Sequence, residues 1–281
     1  MSSNTIDRRT TKSAIYKVEA GQIIPVTDQL ATEEPLEIQI RYGALQHRQR
    51  KSIAVTMRTP GNDAELAVGF LFTEGIITHS SEVIDIQVSN DESNHVIIDI
   101  HPDISLNINQ LNRHFYTTSS CGVCGKSSIE AIKTNITFDL VAAPLRLDIQ
   151  PFHTLPDTLR QAQATFTQTG GIHAAGLFDI EGNLVLIRED VGRHNALDKV
   201  IGTAFQQQLL PLNQHIILVS GRASFELVQK SLMAGISIMA AVSAPSSLAV
   251  QLAEEYDMTL IGFLRNERFN VYSGVHRITS P

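Results

Sequence analysis

The sequence predicts a layered α/β protein, α+β overall, in which a sheet covered by helices follows a smaller α+β unit. Three observations predict it. From residue 184 onward, short apolar runs alternate with helix-like stretches, the arrangement of a sheet buried on both faces. Ahead of residue 120 the pattern alternates apolar and polar residues singly, as half-buried strands do. The 281 residues, 43% hydrophobic and 18% charged, supply enough apolar surface for one large or two modest domains. That balance excludes disordered, collagenous and coiled-coil chains.

Residues 1–34 read as a polar, frayed leader. Arg8-Arg9 suggests a twin-arginine export signal, but Lys17 and Glu19 break up the residues after it and no apolar stretch develops. Residues 35–120 form the smaller unit. Leu36, Ile38 and Ile40 alternate with Glu37, Gln39 and Arg41, which predicts a strand, and Ile53-Val55-Met57 predicts a second. Thr59-Pro60-Gly61-Asn62 is a turn, with Asn62 or Asp63 capping a helix that carries Leu66, Phe70 and Leu71. Residues 83–88 and 95–100 flank a polar stretch and predict a hairpin.

Residues 127–281 form the larger domain. Residues 184–187, 216–219, 236–242 and 259–264 predict strands, and residues 195–209, 225–234 and 247–256 predict helices between them. Leu232 to Ala253 carries no charge, yet serines, Pro245 and Gln251 punctuate it, so a buried strand and a new helix are expected there rather than a membrane span.

Charge narrows the function. Twenty-two basic against 29 acidic residues give a net −7, which disfavours generic binding to nucleic acid or an anionic membrane, so any anionic ligand needs a local basic pocket. Open α/β sheets place ligands outside the carboxyl ends of their strands. There the sequence sets Glu189-Asp190-Val191-Gly192-Arg193-His194, then Ser220-Gly221-Arg222, Ser243-Ala244-Pro245-Ser246 and Arg265-Asn266-Glu267-Arg268. Arg193, Arg222, Arg265 and Arg268 thus converge on one predicted rim, where forked guanidinium donors and helix N-termini suit phosphate groups. The plainer alternative is that these arginines pair with Glu189, Asp190 and Glu267.

Two cysteines, Cys121 and Cys124, are too few for a disulfide framework and point to a reducing compartment. They lie in Ser120-Cys121-Gly122-Val123-Cys124-Gly125-Lys126, ahead of a helix-prone stretch, inside a polar connection, residues 117–126, expected to be a mobile loop. A helix N-terminus and Lys126 both favour the thiolate, and Gly122 and Gly125 leave the approach open. Four readings stay open: half of a structural zinc site, a thioredoxin-like dithiol, a buried pair, and covalent sulfur chemistry in which a persulfide is held and surrendered.

Gly170-Gly171-Ile172-His173-Ala174-Ala175-Gly176 sets a histidine between glycines. Zinc deaminases need H-x-E followed by P-C-x-x-C, whereas here Ala175 stands at the glutamate position and the CxxC lies upstream, so deamination is not expected. His173 is either a pocket donor or a satisfied loop histidine. No Walker lysine motif, serine elbow or dinucleotide fingerprint occurs, which argues against a nucleotide hydrolase, a serine hydrolase and a Rossmann dehydrogenase.

Thr56-Met57-Arg58-Thr59-Pro60-Gly61, Gly69-Phe70-Leu71-Phe72-Thr73-Glu74-Gly75, the Cys121 loop, Gly171 to Ala175 and Glu189 to Lys199 together resemble the FdhD family of sulfur carriers required for formate dehydrogenase activity. The resemblance implies a homodimer whose larger domain is cytidine-deaminase-like; a cytoplasmic protein with no resident metal, and without deaminase, hydrolase or dehydrogenase activity, is the expectation that goes with the residues above. It implies a persulfide on Cys121, assisted by Cys124, with sulfur taken from the cysteine desulfurase IscS. It further implies delivery to the molybdenum bis(molybdopterin guanine dinucleotide) cofactor, for which a guanine nucleotide is a surrogate. Phe263, Leu264, Arg265, Asn266, Glu267 and Arg268 are implied at the cofactor site, joined on the rim by His173, Arg193, His194, Ser220, Gly221 and Arg222. A non-catalytic cofactor or apoprotein chaperone with a zinc-holding CxxC is the alternative.

Overall fold

A computed structural model of the chain describes residues 7–89, 94–104, 106, 136, 138, 145–265 and 267–279. Cys121, Cys124, the 117–126 connection and Asn266 lie outside the described residues.

The stretch read as a frayed leader contains a hairpin. Strands β1 (Thr10–Glu19) and β2 (Gln22–Ala31) pair antiparallel throughout, joined by Ala20 and Gly21, both at positive φ. A two-residue turn of that hand matches strand twist, but Ala-Gly lacks the usual Asn-Gly signature, and the polar residues mask the alternation. The next strands are β3 (Glu34–Tyr42) and β4 (Gln49–Arg58), which lead into helix α1 (Asp63–Thr73). Asn62 precedes α1 in the left-handed region and gives its amide to the Glu65 carboxylate rather than capping backbone N–H groups. Strands β5 (Val83–Val88) and β6 (His95–Ile100) form the expected hairpin, and β6 lies parallel to β3, giving the sheet order β4-β3-β6-β5.

After the short strand β7 (Leu147–Asp148) come helices α2 (Gln150–Ala162) and α3 (Ala164–Thr169). The main sheet is built from β8 (His173–Asp179), β9 (Leu184–Asp190), β10 (His215–Val219), β11 (Ile238–Ala241), β12 (Thr259–Arg265) and β13 (Arg268–Ser273). Helices α4 (Arg193–Gln206), α5 (Phe225–Met233) and α6 (Ser247–Glu255) connect β9 through β12, and β14 (Ile278–Thr279) pairs with β7. The strand order is β13-β12-β11-β10-β8-β9. Because β8 runs antiparallel to both its neighbours, β9 points the same way as β10, β11 and β12. All four therefore end on one rim, and His173 and Arg268 begin their antiparallel strands there.

Alternation along the strands decides which layer each residue joins. Leu177, Ile217, Val219 and Met239 face α4, α5 and the smaller sheet, whereas Phe178, Ile216, Leu218 and Ile238 face Phe152, Leu155 and Leu159 of α2. One apolar cluster runs from Leu36 and Ile98 through Leu71 and Leu197 to Leu260, so the smaller sheet and the main sheet share a core. The seam is closest where α1 crosses α4. A Cβ on Gly69 would lie 1.9 Å from the Asp198 carbonyl oxygen, and one on Gly202 would lie 1.9 Å from that of Glu65. Only glycine lets these backbones touch. Two ion pairs occupy the same seam: Lys230 lies 2.9 Å from Asp198, which also accepts from Thr73, and Lys199 lies 2.7 Å from Asp190. No helix among the described residues is long and apolar enough to cross a membrane.

Candidate functional site at the strand ends

Backbone bonds sew the rim loops together before any ligand arrives. Ser246 N–H donates to the Ala223 carbonyl, 2.9 Å away, and Phe263 N–H donates to that of Ser243, 3.2 Å away. The Ser220 hydroxyl accepts from Ala174 N–H at 2.9 Å, fixing the loop after β10 against the start of β8. Helices α5 and α6 begin on this rim; Ser246 caps α6 through Ala249 N–H, while the Ser224 side chain caps no backbone N–H of α5.

The predicted rim residues do gather, in two groups. One group surrounds His173, the cross-strand partner of Asp190. A Cβ on Gly221 would lie 3.4 Å from His173 Nδ1 and 3.9 Å from Arg193 Cδ, so Gly221 fits between the imidazole and the guanidinium stem. Burial holds the His173 pKa below the ordinary histidine value, and Arg193 and His194 push the same way against the opposing charge of Asp190. His194 is buried, with Nε2 3.3 Å from the Ser224 hydroxyl and 3.8 Å from a Glu226 carboxylate oxygen. The neighbouring His194 imidazole is the largest influence on Glu226 and, with its own backbone and Ser224, draws that carboxyl down to about 2 despite burial.

The second group is the β12–β13 connection. Its pairing slips between Gly262 and Arg265, and Phe263 sits at φ +54 with its ring exposed. A bulky residue in the left-handed region on an open rim is strained backbone, the kind that persists where a site over-determines it. Arg265, Glu267 and Arg268 are exposed, whereas the Leu264 side chain is buried in the core above α2, leaving only its backbone to the rim.

Pairing with the neighbouring acids does not occupy the arginines. Both Glu189 oxygens accept from Thr165 and Phe166 N–H at 2.9 Å, at the start of α3, and Asp190 belongs to Lys199. Among the described residues, Arg193, Arg222, Arg265 and Arg268 form no ion pair, so at least three exposed guanidinium groups face solvent beside two helix N-termini. Asp190, at the end of β9, does not face the rim as a free acid. It is fully buried and structural, accepting from Thr59, Gly192 and Asn195 as well as from Lys199. Glu226 carries no signal in the sequence, and Thr59 is visible there only as a turn and motif residue, since its partners Asp190 and Val191 lie more than 130 residues away.

A family model described as the FdhD/NarQ family matches residues 31–279. The chain belongs to the FdhD/NarQ family. Curated relatives named sulfur carrier protein FdhD span nearly its whole length. That of Streptomyces avermitilis is 48% identical over 279 residues, covering 96% of each chain. That of Mycobacterium tuberculosis is 44% identical, covering 94% of this chain and 97% of its own, and that of Sulfolobus acidocaldarius is 39% identical, covering 95% and 98%. A crystal structure named as a candidate formate dehydrogenase accessory protein, from Desulfotalea psychrophila, superposes with a TM-score of 0.72 over 96% of this chain and 99% of its own. Its sequence is 24% identical, and the likeness is one of fold. The mixed α/β architecture expected from the sequence is thus shared with that structure.

Proposed function

We propose that this FdhD/NarQ family member is a sulfur carrier that moves sulfane sulfur from the cysteine desulfurase IscS to the molybdenum bis(molybdopterin guanine dinucleotide) cofactor before formate dehydrogenase receives it. It works in the cytoplasm as a homodimer. The molybdenum cofactor is its substrate. The Cys121 thiolate attacks the outer sulfur of the desulfurase persulfide, the S–S bond there breaks, the desulfurase cysteine leaves as a thiolate, and Cys121 keeps the sulfur. On delivery the Cys124 thiolate attacks Cys121 Sγ, sulfur leaves as hydrosulfide, and the two cysteines close a disulfide that an external dithiol reduces by two electrons.

The observation that carries the reading is that Arg222, Arg265 and Arg268 form no ion pair among the described residues, in a chain of net charge −7. A dinucleotide presents several phosphates, and Arg222, Arg265 and Arg268 with the starts of α5 and α6 offer the donors to hold them. Phe263 adds an exposed ring on which a base or pterin stacks. His173, Arg193, His194, Ser220 and Gly221 shape the far wall. Incubation with desulfurase and cysteine, followed by mass spectrometry of the intact protein and its peptides, tests the chemistry. The expected result is one added sulfur atom on Cys121, absent in Cys121→Ala, with transfer impaired in Cys124→Ala. Stoichiometric zinc with thiols inert to alkylation would replace the carrier by a metal-clamped chaperone.

A further inference from the structure

The Asp190–His194 turn receives its shape from outside the main sheet. Thr59, directly after β4 and 1% exposed, grips it through two of its groups and holds Lys199, the partner of Asp190, through a third. The Thr59 hydroxyl accepts from Val191 N–H at 3.2 Å, its N–H donates to Asp190 Oδ2 at 3.1 Å, and its carbonyl accepts from Lys199 Nζ at 2.9 Å. Asn195 adds a second strap. Its amide donates to the Met57 carbonyl at 2.8 Å and to Asp190 Oδ1 at 3.0 Å, and its oxygen accepts from the Thr56 hydroxyl at 3.2 Å. Asp190 closes the turn on itself through Gly192 N–H, 2.8 Å away, and a Cβ at Gly192 would meet the Asn195 amide at 2.9 Å. No other residue type fits there without displacing the strap.

Arg193 and His194 end this turn, and both lie close enough to His173 to act on its charge. We propose that Thr59 is a positioning residue for the anion site: the smaller sheet, through β4, holds the Asp190–His194 turn so that Arg193 stands beside His173 on the rim. The smaller unit then does more than complete a core. It sets the geometry of one wall of the ligand site, with no contact to the ligand of its own. The consequence for ligand affinity rests on the rim being the phosphate site proposed above, whereas the placement of Arg193 does not.

The test compares Thr59→Val, which keeps the shape and strands Val191 N–H, with Thr59→Ser, which returns the hydroxyl. Full-length proteins are titrated with GDP by calorimetry, and the His173 imidazole is followed against pH by NMR, assigned by its loss in His173→Gln. Asp190, Arg193 and His194 are the charged groups facing it. In Thr59→Val, GDP affinity falls about tenfold and the His173 midpoint rises toward the ordinary 6.5 as Arg193 moves away. Thr59→Ser restores both, while persulfide loading of Cys121 is unchanged in either variant. Wild-type titration and affinity in Thr59→Val, or a defect that Thr59→Ser does not repair, would overturn the proposal. Should wild-type protein bind no GDP, the rim reading fails, and the His173 midpoint alone then decides whether Thr59 places Arg193. If Thr59→Val does not fold, Thr56→Val, which removes the Thr56 bond to the Asn195 oxygen and leaves the two that Asn195 donates, is measured in the same way, with Thr56→Ser as its rescue.

Discussion

At the seam between α1 and α4 the buried charges are matched: Asp198 holds Lys230, Asp190 holds Lys199, and backbone or hydroxyl groups take up what remains. On the rim, Arg222, Arg265 and Arg268 have no acidic partner among the described residues. The two regions draw on the same residue types for opposite purposes. A charge taken out of water must be paired or it costs several kcal/mol, so the seam is stable only when complete. A rim charge in water costs little unpaired, and its donors stay free for a ligand. Damage at the seam is therefore expected to appear in stability, and damage on the rim in affinity.

The seam's glycines should give the largest effect. Gly69→Ala or Gly202→Ala would drive a methyl to 1.9 Å from a carbonyl oxygen of the facing helix, so α1 and α4 must separate. Overpacking a core side chain costs about 1–3 kcal/mol, and a collision with backbone should exceed that range. Chemical denaturation of either variant is expected to show loss of most of the folding free energy or failure to fold. A cost under about 1 kcal/mol would show that the helices slide apart easily.

Lys230→Met comes next. Burial alone would lower the Lys230 pKa, but Asp198 and Glu74 outweigh it and raise the value, so both acids rely on this ammonium. Removing it leaves the fully buried Asp198 carboxylate without its counter-charge, at a cost of about 3–5 kcal/mol in unfolding free energy. Lys230→Met combined with Asp198→Asn should recover a large part of that loss, because the stranded carboxylate is gone. A double variant no better than the single one would mean that the pair matters for packing rather than charge.

Legibility in the sequence divides along the same line. The run at residues 216–219 is legible because a strand buried on both faces must be apolar throughout, whereas the equally apolar run at 184–187 forms the edge strand β9, where Val185 is exposed; the rim comes from the rule that loops at strand ends carry ligands. β8 is not legible as a strand, since Ala174, Ala175 and Gly176 are small where strands favour β-branched residues; Gly176 is small because a Cβ there would press Leu159 at 2.7 Å. α2 is hidden by Pro151 and Pro156, the second of which sits inside a helix that packing against the sheet sustains. Asp190 reads as a ligand group because His194 and Arg193 stand near it in sequence, whereas its Thr59 partner lies 131 residues away. The chemistry assigned to Cys121 and Cys124 falls outside the described residues, so sequence and resemblance carry it alone.

The rim half of the comparison is sharpened by Arg265→Ala with Arg268→Ala. Both side chains are exposed and unpaired among the described residues, so stability should change by no more than about 0.5 kcal/mol. GDP affinity, in contrast, should fall at least about tenfold, with a weaker dependence on salt, because charge-assisted bonds to phosphate are lost. Unchanged affinity would remove these arginines from the site.

Glu226 stands between the two regions, on the rim yet paired with His194, and its effect is the smallest. Its folded pKa, about 2, lies below the ordinary 4.5, so the native state binds this proton less readily than the unfolded chain does. The stabilisation this brings is complete above pH 4.5, declines as pH falls, and is gone below about 2. Glu226→Gln lacks it at every pH. The stability difference between wild type and Glu226→Gln, measured by denaturant unfolding across acid pH, should therefore be flat above 4.5 and shrink steadily below it. The arginine variants should show no such acid-linked change. A difference that stayed flat down to pH 2 would place Glu226 among the solvated rim charges, and the boundary between paired and ligand-ready groups would then move inward to His194.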